Sequence, residues 1–299
     1  MGRGPARLKS PKSPAPASSC VKRCTTAAEE YGRYFAQIGI ARKVESDRMT
    51  PRTISVVFRK EDIAGALPPL AGRAAVVIDV LRASSTIVTA LAHGAERIVL
   101  AASPEEARAH VVQLPPGSFL LGGERGGVRI DGFDLGNSPS EYSAPRVHGK
   151  TIVFTTTNGT EAVRACARAG AASIWIGALL NVEAIAKALS GLKEDVVLVC
   201  AGTEGVQGAD DAYAAGAIAE ALLEAAPFEL DDSARIAIHH FRAAGTALSV
   251  LRSSLGGRNL IRIGLAADLE DCDGSRETFD VSPGYSSQTH EIRCHRADS

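Results

Sequence analysis

Short apolar runs alternate along this chain with stretches of helical period. Ile54–Phe58, Ala74–Val80, Arg97–Ala101, Thr151–Phe154, Ser173–Ile176 and Val196–Cys200 are brief and rich in β-branched side chains. Near-continuous apolarity over so few residues predicts strands covered on both faces. Between them, Ser84–His93, Ser103–Gln113, Thr160–Ala169, Asn181–Ser190 and Asp210–Ala225 read as helices. Glu61–Leu67 reads as a short helix, and Ala234–Ala244, Thr246–Ser253 and Asn259–Ala267 as further helices. Ser103 is placed to cap its helix, with Glu106 at the capping-box position. The alternation predicts an α/β fold, with largely parallel or mixed sheets flanked by helices. It recurs on either side of residues 120–150, which predicts two α/β lobes around a shared cleft.

The ends read differently. Residues 1–28 are rich in Pro, Ser, Ala, Lys and Arg and contain no acidic residue, so they cannot bury enough apolar surface to offset chain entropy. Disorder is expected over 1–50, with translation from Met49 as an alternative start. The folded domain is expected over 51–284, followed by an unpaired, disordered tail over 285–299.

Composition narrows the function. The chain has 299 residues, 45% hydrophobic and 22% charged, with a net charge of -1. That balance gives no long-range attraction to nucleic acid or an anionic membrane, so any taste for anions must be local. Aromatics at 5% make base-stacking platforms unexpected, and no apolar run is long enough to span a bilayer. Six cysteines lie scattered, without a Cys-x-x-Cys pair or zinc spacing. A reduced, cytoplasmic protein follows.

Ligands of open α/β sheets bind where strands end and helices begin, and three such junctions here carry unusual polar residues. In the first, Asp79 closes an apolar strand, Arg82 follows in the turn, and Ser84 opens a helix. Helix N-termini favour anions, although Ser84 as a cap and an Asp79–Arg82 pair would also account for them. In the second, Thr155-Thr-Thr-Asn-Gly-Thr sets the hydroxyls of Thr157 and Thr160, the Asn158 amide and flexible Gly159 before a helix, as an anion site would need. In the third, Cys200 closes a strand, and Glu204, Asp210 and Asp211 follow on a Gly-rich turn. Oxygen ligands of this kind suit Mg²⁺. Asp210 and Asp211 also read as favourable charges at a helix start. Cys200 is the alternative nucleophile, without the Cys-x5-Arg cradle that would support it. A fourth stretch, residues 119–139, sets six glycines around Glu124, Arg125, Arg129, Asp131, Asp134 and Asn137. Phe119–Leu121 reads as a short strand entering this stretch, and so many glycines and charges after it predict an irregular segment whose backbone can approach an anion closely.

Taken in order, Asp79-Val-Leu-Arg-Ala-Ser-Ser-Thr-Ile, Gly122-Gly-Glu-Arg-Gly-Gly, Gly132-Phe-Asp-Leu-Gly-Asn-Ser-Pro, Thr156-Thr-Asn-Gly-Thr and Cys200-Ala-Gly-Thr-Glu-Gly with Asp211 resemble the 2-phosphosulfolactate phosphatases. The resemblance runs from about Ile54 to Pro283. It implies a Mg²⁺-dependent enzyme converting 2-phospho-3-sulfolactate to 3-sulfolactate and phosphate, the second step of one route to coenzyme M. It implies catalytic or metal-holding roles among Asp79, Glu124, Asp134, Cys200, Glu204 and Asp211, with Mg²⁺ stabilising charge on the transferring phosphoryl. Arg82, Ser84, Arg125, Asn137, Thr157, Asn158, Gly159 and Thr160 are then expected to bind a small anionic phosphoester, with Arg129 as a further cation. A carboxylate would activate water or would itself attack. Ser254-Leu-Gly-Gly-Arg-Asn-Leu lacks a histidine that relatives often carry in this segment. A homodimer is a reasonable expectation for such an enzyme.

Overall fold

Every apolar run read as a strand forms one. In a computed structural model that describes Met1 and residues 51–66 and 69–294, these strands are β1 (Arg52–Val57), β2 (Ala74–Ile78), β3 (Arg97–Leu100), β6 (Thr151–Thr155), β7 (Ser173–Gly177) and β8 (Val196–Cys200). Four further strands are β5 (Val128–Arg129), β9 (Phe228–Leu230), β10 (Pro283–Ser286) and β11 (Glu291–Cys294), and β4 runs over Phe119–Arg125. The expectations for 2–50, including a start at Met49, lie outside the described residues.

The helices are α1 (Ala83–Ala92), α2 (Pro104–Val111), α3 (Ala144–Val147), α4 (Gly159–Arg168), α5 (Val182–Ser190), α6 (Ala209–Ala225), α7 (Asp232–Ala243), α8 (Ala247–Ser253), α9 (Leu255–Arg262) and α10 (Asp268–Cys272). Ser103 caps α2 as expected, its hydroxyl accepting the Glu106 N–H at 3.2 Å. The segment at Glu61 is a 3-10 turn, Lys60–Gly65.

The sheet has eleven strands in the order β5-β4-β6-β3-β11-β10-β7-β2-β8-β1-β9. The expected two lobes with a boundary near 120–150 are corrected by this order. Residues 97–155 form one block of the sheet, inserted between β2 and β7, and both blocks share one sheet. The expected tail is corrected as well. β10 and β11 form an antiparallel hairpin that pairs with β7 on one side and β3 on the other. Three successive antiparallel pairings leave the β3-β6-β4 block running opposite to β7-β2-β8-β1. The text after Tyr285 hides this because only Ile292 there is fully buried, and one apolar residue sets no period.

Every residue of β2, β6 and β8 is buried. Alternate side chains serve opposite faces: Val76, Ile78 and Leu198 pack towards α5, α6 and α7, and Ala75, Val77 and Val199 pack towards α1 and α4. Both faces are therefore dry, and polar chemistry is pushed to the strand ends.

Candidate active site

The loops leaving β2, β4, β6 and β8 at their carboxyl ends converge, with α9, on one cavity of about 150 Å³. Asp79 follows β2. Its backbone N–H donates to the Ser84 hydroxyl at 2.9 Å, and the Ser84 N–H returns to the Asp79 carbonyl at 2.9 Å. Ser84, expected to touch substrate, thus closes this turn instead. The Asp79 carboxylate is buried and receives the Ala83 N–H at 3.3 Å. Burial first, then the Glu124 and Asp210 charges, push its carboxyl up to about 7. Gly159 is needed beside it, because a Cβ there would come within 2.6 Å of the Ala83 Cβ and 2.8 Å of Asp79 Oδ2.

Arg82 lines the cavity from beneath. Its Nη1 donates to Asp268 Oδ2 at 2.6 Å and Ser138 Oγ at 3.0 Å, and its Nη2 to the Gly127 carbonyl at 2.7 Å. Both members of this ion pair are buried, with side chains 3% and 4% exposed.

The Gly-rich stretch is less irregular than expected, since β4 carries it through Arg125 in parallel with β6. Gly123, at φ +139°, lies directly on the Thr155 carbonyl, where a Cβ would overlap the oxygen. The strand therefore survives its glycines because the close backbone approach requires them. Glu124 then turns inward. One carboxylate oxygen accepts the Gly127 N–H and the other the Thr157 N–H, both at 2.7 Å, so Glu124 staples two loops while lining the cavity. Asn137 also lines it, and its side-chain amide oxygen is buried without a partner.

Two expected site residues from this stretch lie elsewhere. Arg125 is turned towards the Thr155 hydroxyl (2.9 Å) and its neighbour's carbonyl (2.7 Å). Asp134 is exposed and accepts the Leu121 N–H at 2.8 Å, a strand-end cap. Neither lines the cavity. Glu124 and Arg125 diverge because β4 sends alternate residues to opposite faces.

At the second junction, Thr157 and Asn158 line the cavity, and the Asn158 amide oxygen accepts from Lys60 Nζ at 2.9 Å. Thr160 turns back instead: its hydroxyl accepts the Thr156 N–H at 3.1 Å, and its own N–H donates to the Thr156 hydroxyl at 3.2 Å. At the third junction, Glu204 lines the cavity with φ +53° and accepts Asn259 Nδ2 at 3.2 Å. Asp211 is buried behind it. Its oxygens accept the Val80 N–H (2.9 Å) and Gly202 N–H (3.0 Å), tying the ends of β2 and β8 together. Burial, then Asp210 and Asp79, raise its carboxyl well above the usual range. Cys200 is fully buried among apolar side chains on the α6–α7 face. Burial raises its thiol far above the ordinary value, which is the reverse of an activated nucleophile.

Asp210, read from the sequence as an oxygen ligand or a helix-start charge, matters more than its neighbour. Its Oδ1 is buried without a partner, and Gly256 of the cavity wall lies so close that a Cβ would be 3.0 Å from Oδ2. Burial pushes its carboxyl up to about 6. Among the described residues, no three Asp, Glu, His or Cys side chains are gathered closely enough to hold a metal by themselves. The donors around the cavity are nevertheless all oxygen, and the unpartnered Asp210 and Asn137 oxygens suit a hard cation.

Asn259 and Arg262 line the cavity from ordinary helical text, and Lys60, Ser138 and Asp268 stand behind it as partners of Asn158 and Arg82. Ser138 and Asp210 lie in stretches already singled out from the sequence, and for Lys60, Arg262 and Asp268 only the fold supplies the signal.

Residues 61–287 match the family model of 2-phosphosulpholactate phosphatase. A protein of Deinococcus radiodurans described as a probable 2-phosphosulfolactate phosphatase is 48% identical over 197 residues, covering 66% of this chain and 81% of the relative. One of the same description from Symbiobacterium thermophilum is 46% identical over 211 residues, covering 69% and 90%. Another, from Clostridium beijerinckii, is 35% identical over 233 residues, covering 78% and 96%. The ordered motifs around the cavity and a family match over most of the length agree: this chain belongs to the 2-phosphosulfolactate phosphatase family.

Proposed function

We propose that this protein hydrolyses 2-phospho-3-sulfolactate to 3-sulfolactate and phosphate. The observation that carries the reading is the cavity itself, where the buried Asp79 carboxyl faces the same space as Glu124 and the unpartnered Asp210 oxygen stands behind the wall; burial also raises Asp79 to about 7. A carboxyl poised near neutrality can take a proton from an attacking water and return one to a leaving alkoxide. Asp79 is the better placed, because it lines the cavity and Asp210 stands behind the α9 wall. Attack by a carboxylate, giving a phosphoryl-enzyme, is the competing route. Turnover of an ester made chiral at phosphorus separates the two, since direct attack by water inverts the configuration and the covalent route, with two displacements, retains it.

The oxygens of Asp210, Glu124 and Asn137 would hold Mg²⁺, which would offset negative charge on the phosphoryl group. Glu124 keeps lone pairs for this beyond its two backbone bonds. The Thr157 hydroxyl and the Asn158 amide at the start of α4 line the same cavity and would hydrogen-bond the anion, beside the Arg82 guanidinium, whose charge Asp268 already offsets. A cytoplasmic setting and the second step of a route to coenzyme M belong to the same proposal. The unbridged, buried cysteines at 166, 200 and 272 support the former. In keeping with it, no helix among the described residues is long and apolar enough to cross a membrane.

Phosphate release from a panel of acidic phosphoesters, with Mg²⁺ and with chelator, tests the proposal. The sulfonated ester should be hydrolysed fastest, and chelation should reduce its turnover by at least about 100-fold. Turnover of no ester would remove the enzymatic reading, and equal rates in chelator would remove the metal.

A further inference from the structure

The cations expected to meet the substrate are largely unavailable to it. Arg125 faces Thr155, Arg129 is exposed on β5 outside the cavity lining, and Arg82 is already matched in charge by Asp268 at 2.6 Å. The carboxylates of Asp79, Glu124 and Glu204 meanwhile face the same cavity, so a multiply charged anion needs positive charge from another source. α9 supplies it. Arg262, in its last turn, lines the cavity and is exposed. Its Nη2 donates to Asn259 Oδ1 at 3.2 Å, and it has no ion-pair partner among the described residues.

The helix also orients the cavity. Its first turn meets Asp210, where Gly256 allows the close approach. Its far end meets Arg82 through Gly127, whose carbonyl accepts Arg82 Nη2 and whose Cβ, if present, would come within 2.7 Å of Ile263 Cδ1. Asp210 therefore meets the first turn of α9, while its last turn carries Arg262 beside Gly127, where the Arg82 charge is offset by Asp268. In the proposed substrate the sulfonate sits one bond further from the phosphorylated carbon than the carboxylate does. With the phosphoryl group near the unpartnered Asp210 oxygen, the sulfonate is the group that reaches furthest towards Arg262.

We infer that Arg262 determines specificity by binding the sulfonate of the substrate. The inference rests on the proposed phosphatase reading. A sulfonate is ionised at all working pH values and presents oxygens to a planar guanidinium fork. At an exposed position the attraction is screened by salt.

The test compares Arg262→Gln with the unmodified protein on 2-phospho-3-sulfolactate and on 2-phospholactate, which keeps the phosphate and carboxylate but lacks the sulfonate. The expected result is a KM about 10- to 100-fold higher for the sulfonated ester in the variant, the range of one lost charge-assisted contact. Its kcat should change by less than about twofold, and its KM for 2-phospholactate should not move. Arg262→Lys should recover part of the loss. An unchanged KM for the sulfonated ester, or equal losses on both esters, overturns the inference while leaving the phosphatase reading intact. If the unmodified protein hydrolyses neither ester, that reading fails, and calorimetric binding of 3-sulfolactate decides Arg262. Affinity at least about tenfold weaker in the variant supports the role, whereas equal affinity, or no binding to the unmodified protein, overturns it.

Discussion

Asp79 shows how one buried carboxyl couples stability to chemistry. Burial and the nearby charges of Glu124 and Asp210 raise it to about 7 from an ordinary value near 3.8. The folded state therefore holds this proton more tightly than the unfolded chain does. The associated stability is fully present below about pH 4 and is lost as pH rises through 7. Asp79→Asn removes the ionising group, so in chelator the variant should melt at least about 5 °C above the unmodified protein at pH 8, with the gap closing near pH 4. The same change should abolish phosphate release. Thermal melts at both pH values check this, and a constant gap across pH would show that Asp79 does not titrate as described. Saturating Mg²⁺ should shrink the gap at pH 8, because a bound cation offsets the same charge.

Among the elements, β4 is decided by contacts that its own residues do not announce. Gly122, Gly123 and the charged pair after them argue against a strand by propensity. The parallel register with β6 overrides this, and Gly123 can take φ +139° directly over the Thr155 carbonyl only because it has no Cβ. Gly123→Ala should therefore cost more than about 3 kcal/mol, combining left-side backbone strain with a clash against backbone that cannot move aside. It should also displace Glu124 from the Gly127 and Thr157 amides. Gly126→Ala, at φ +59° with open space around it, is the matched control and should cost about 1 kcal/mol. Urea unfolding of both variants measures the difference, and similar losses would mean that the Thr155 contact is not what matters. α9 carries the same lesson. Its two glycines delayed the expected start of helix to Asn259, whereas the Ser254 hydroxyl accepts the Gly257 N–H at 2.9 Å and starts it at Leu255.

Across the whole molecule, the β10–β11 hairpin is the link between two blocks that would otherwise present open edges. It pairs Gly284 and Tyr285 with Trp175 and Ile174, and Glu291 and Ile292 with Val99 and Ile98. Ile292 is fully buried in the core that also contains α1, α4 and β6. Ile292→Ala should destabilise the protein by about 2–4 kcal/mol, and amide exchange should quicken in β3 and β7 together. Faster exchange confined to the hairpin would show that the two blocks stand without it. Unpaired edges of β3 and β7 would also invite association, so loss of the hairpin should appear as aggregation.

What the sequence determined by itself follows from local physics. Continuous apolar runs can only be buried strands, so the six main strands and most helices were legible, as was the chemistry of the strand ends at Asp79, Asn158 and Glu204. Ordered motifs identified the family. The tertiary structure alone decided which polar side chains face the cavity. Neighbours such as Glu124 and Arg125 point opposite ways, and Asp211 and Cys200 were sent into the interior, one to tie two strand ends and one to fill core. It alone set Asp210 against the first turn of α9, Arg262 on the cavity wall and Asp268 against Arg82, and seated a polar hairpin in the middle of the sheet. Those outcomes depend on contacts between residues far apart in the chain, which no local pattern encodes.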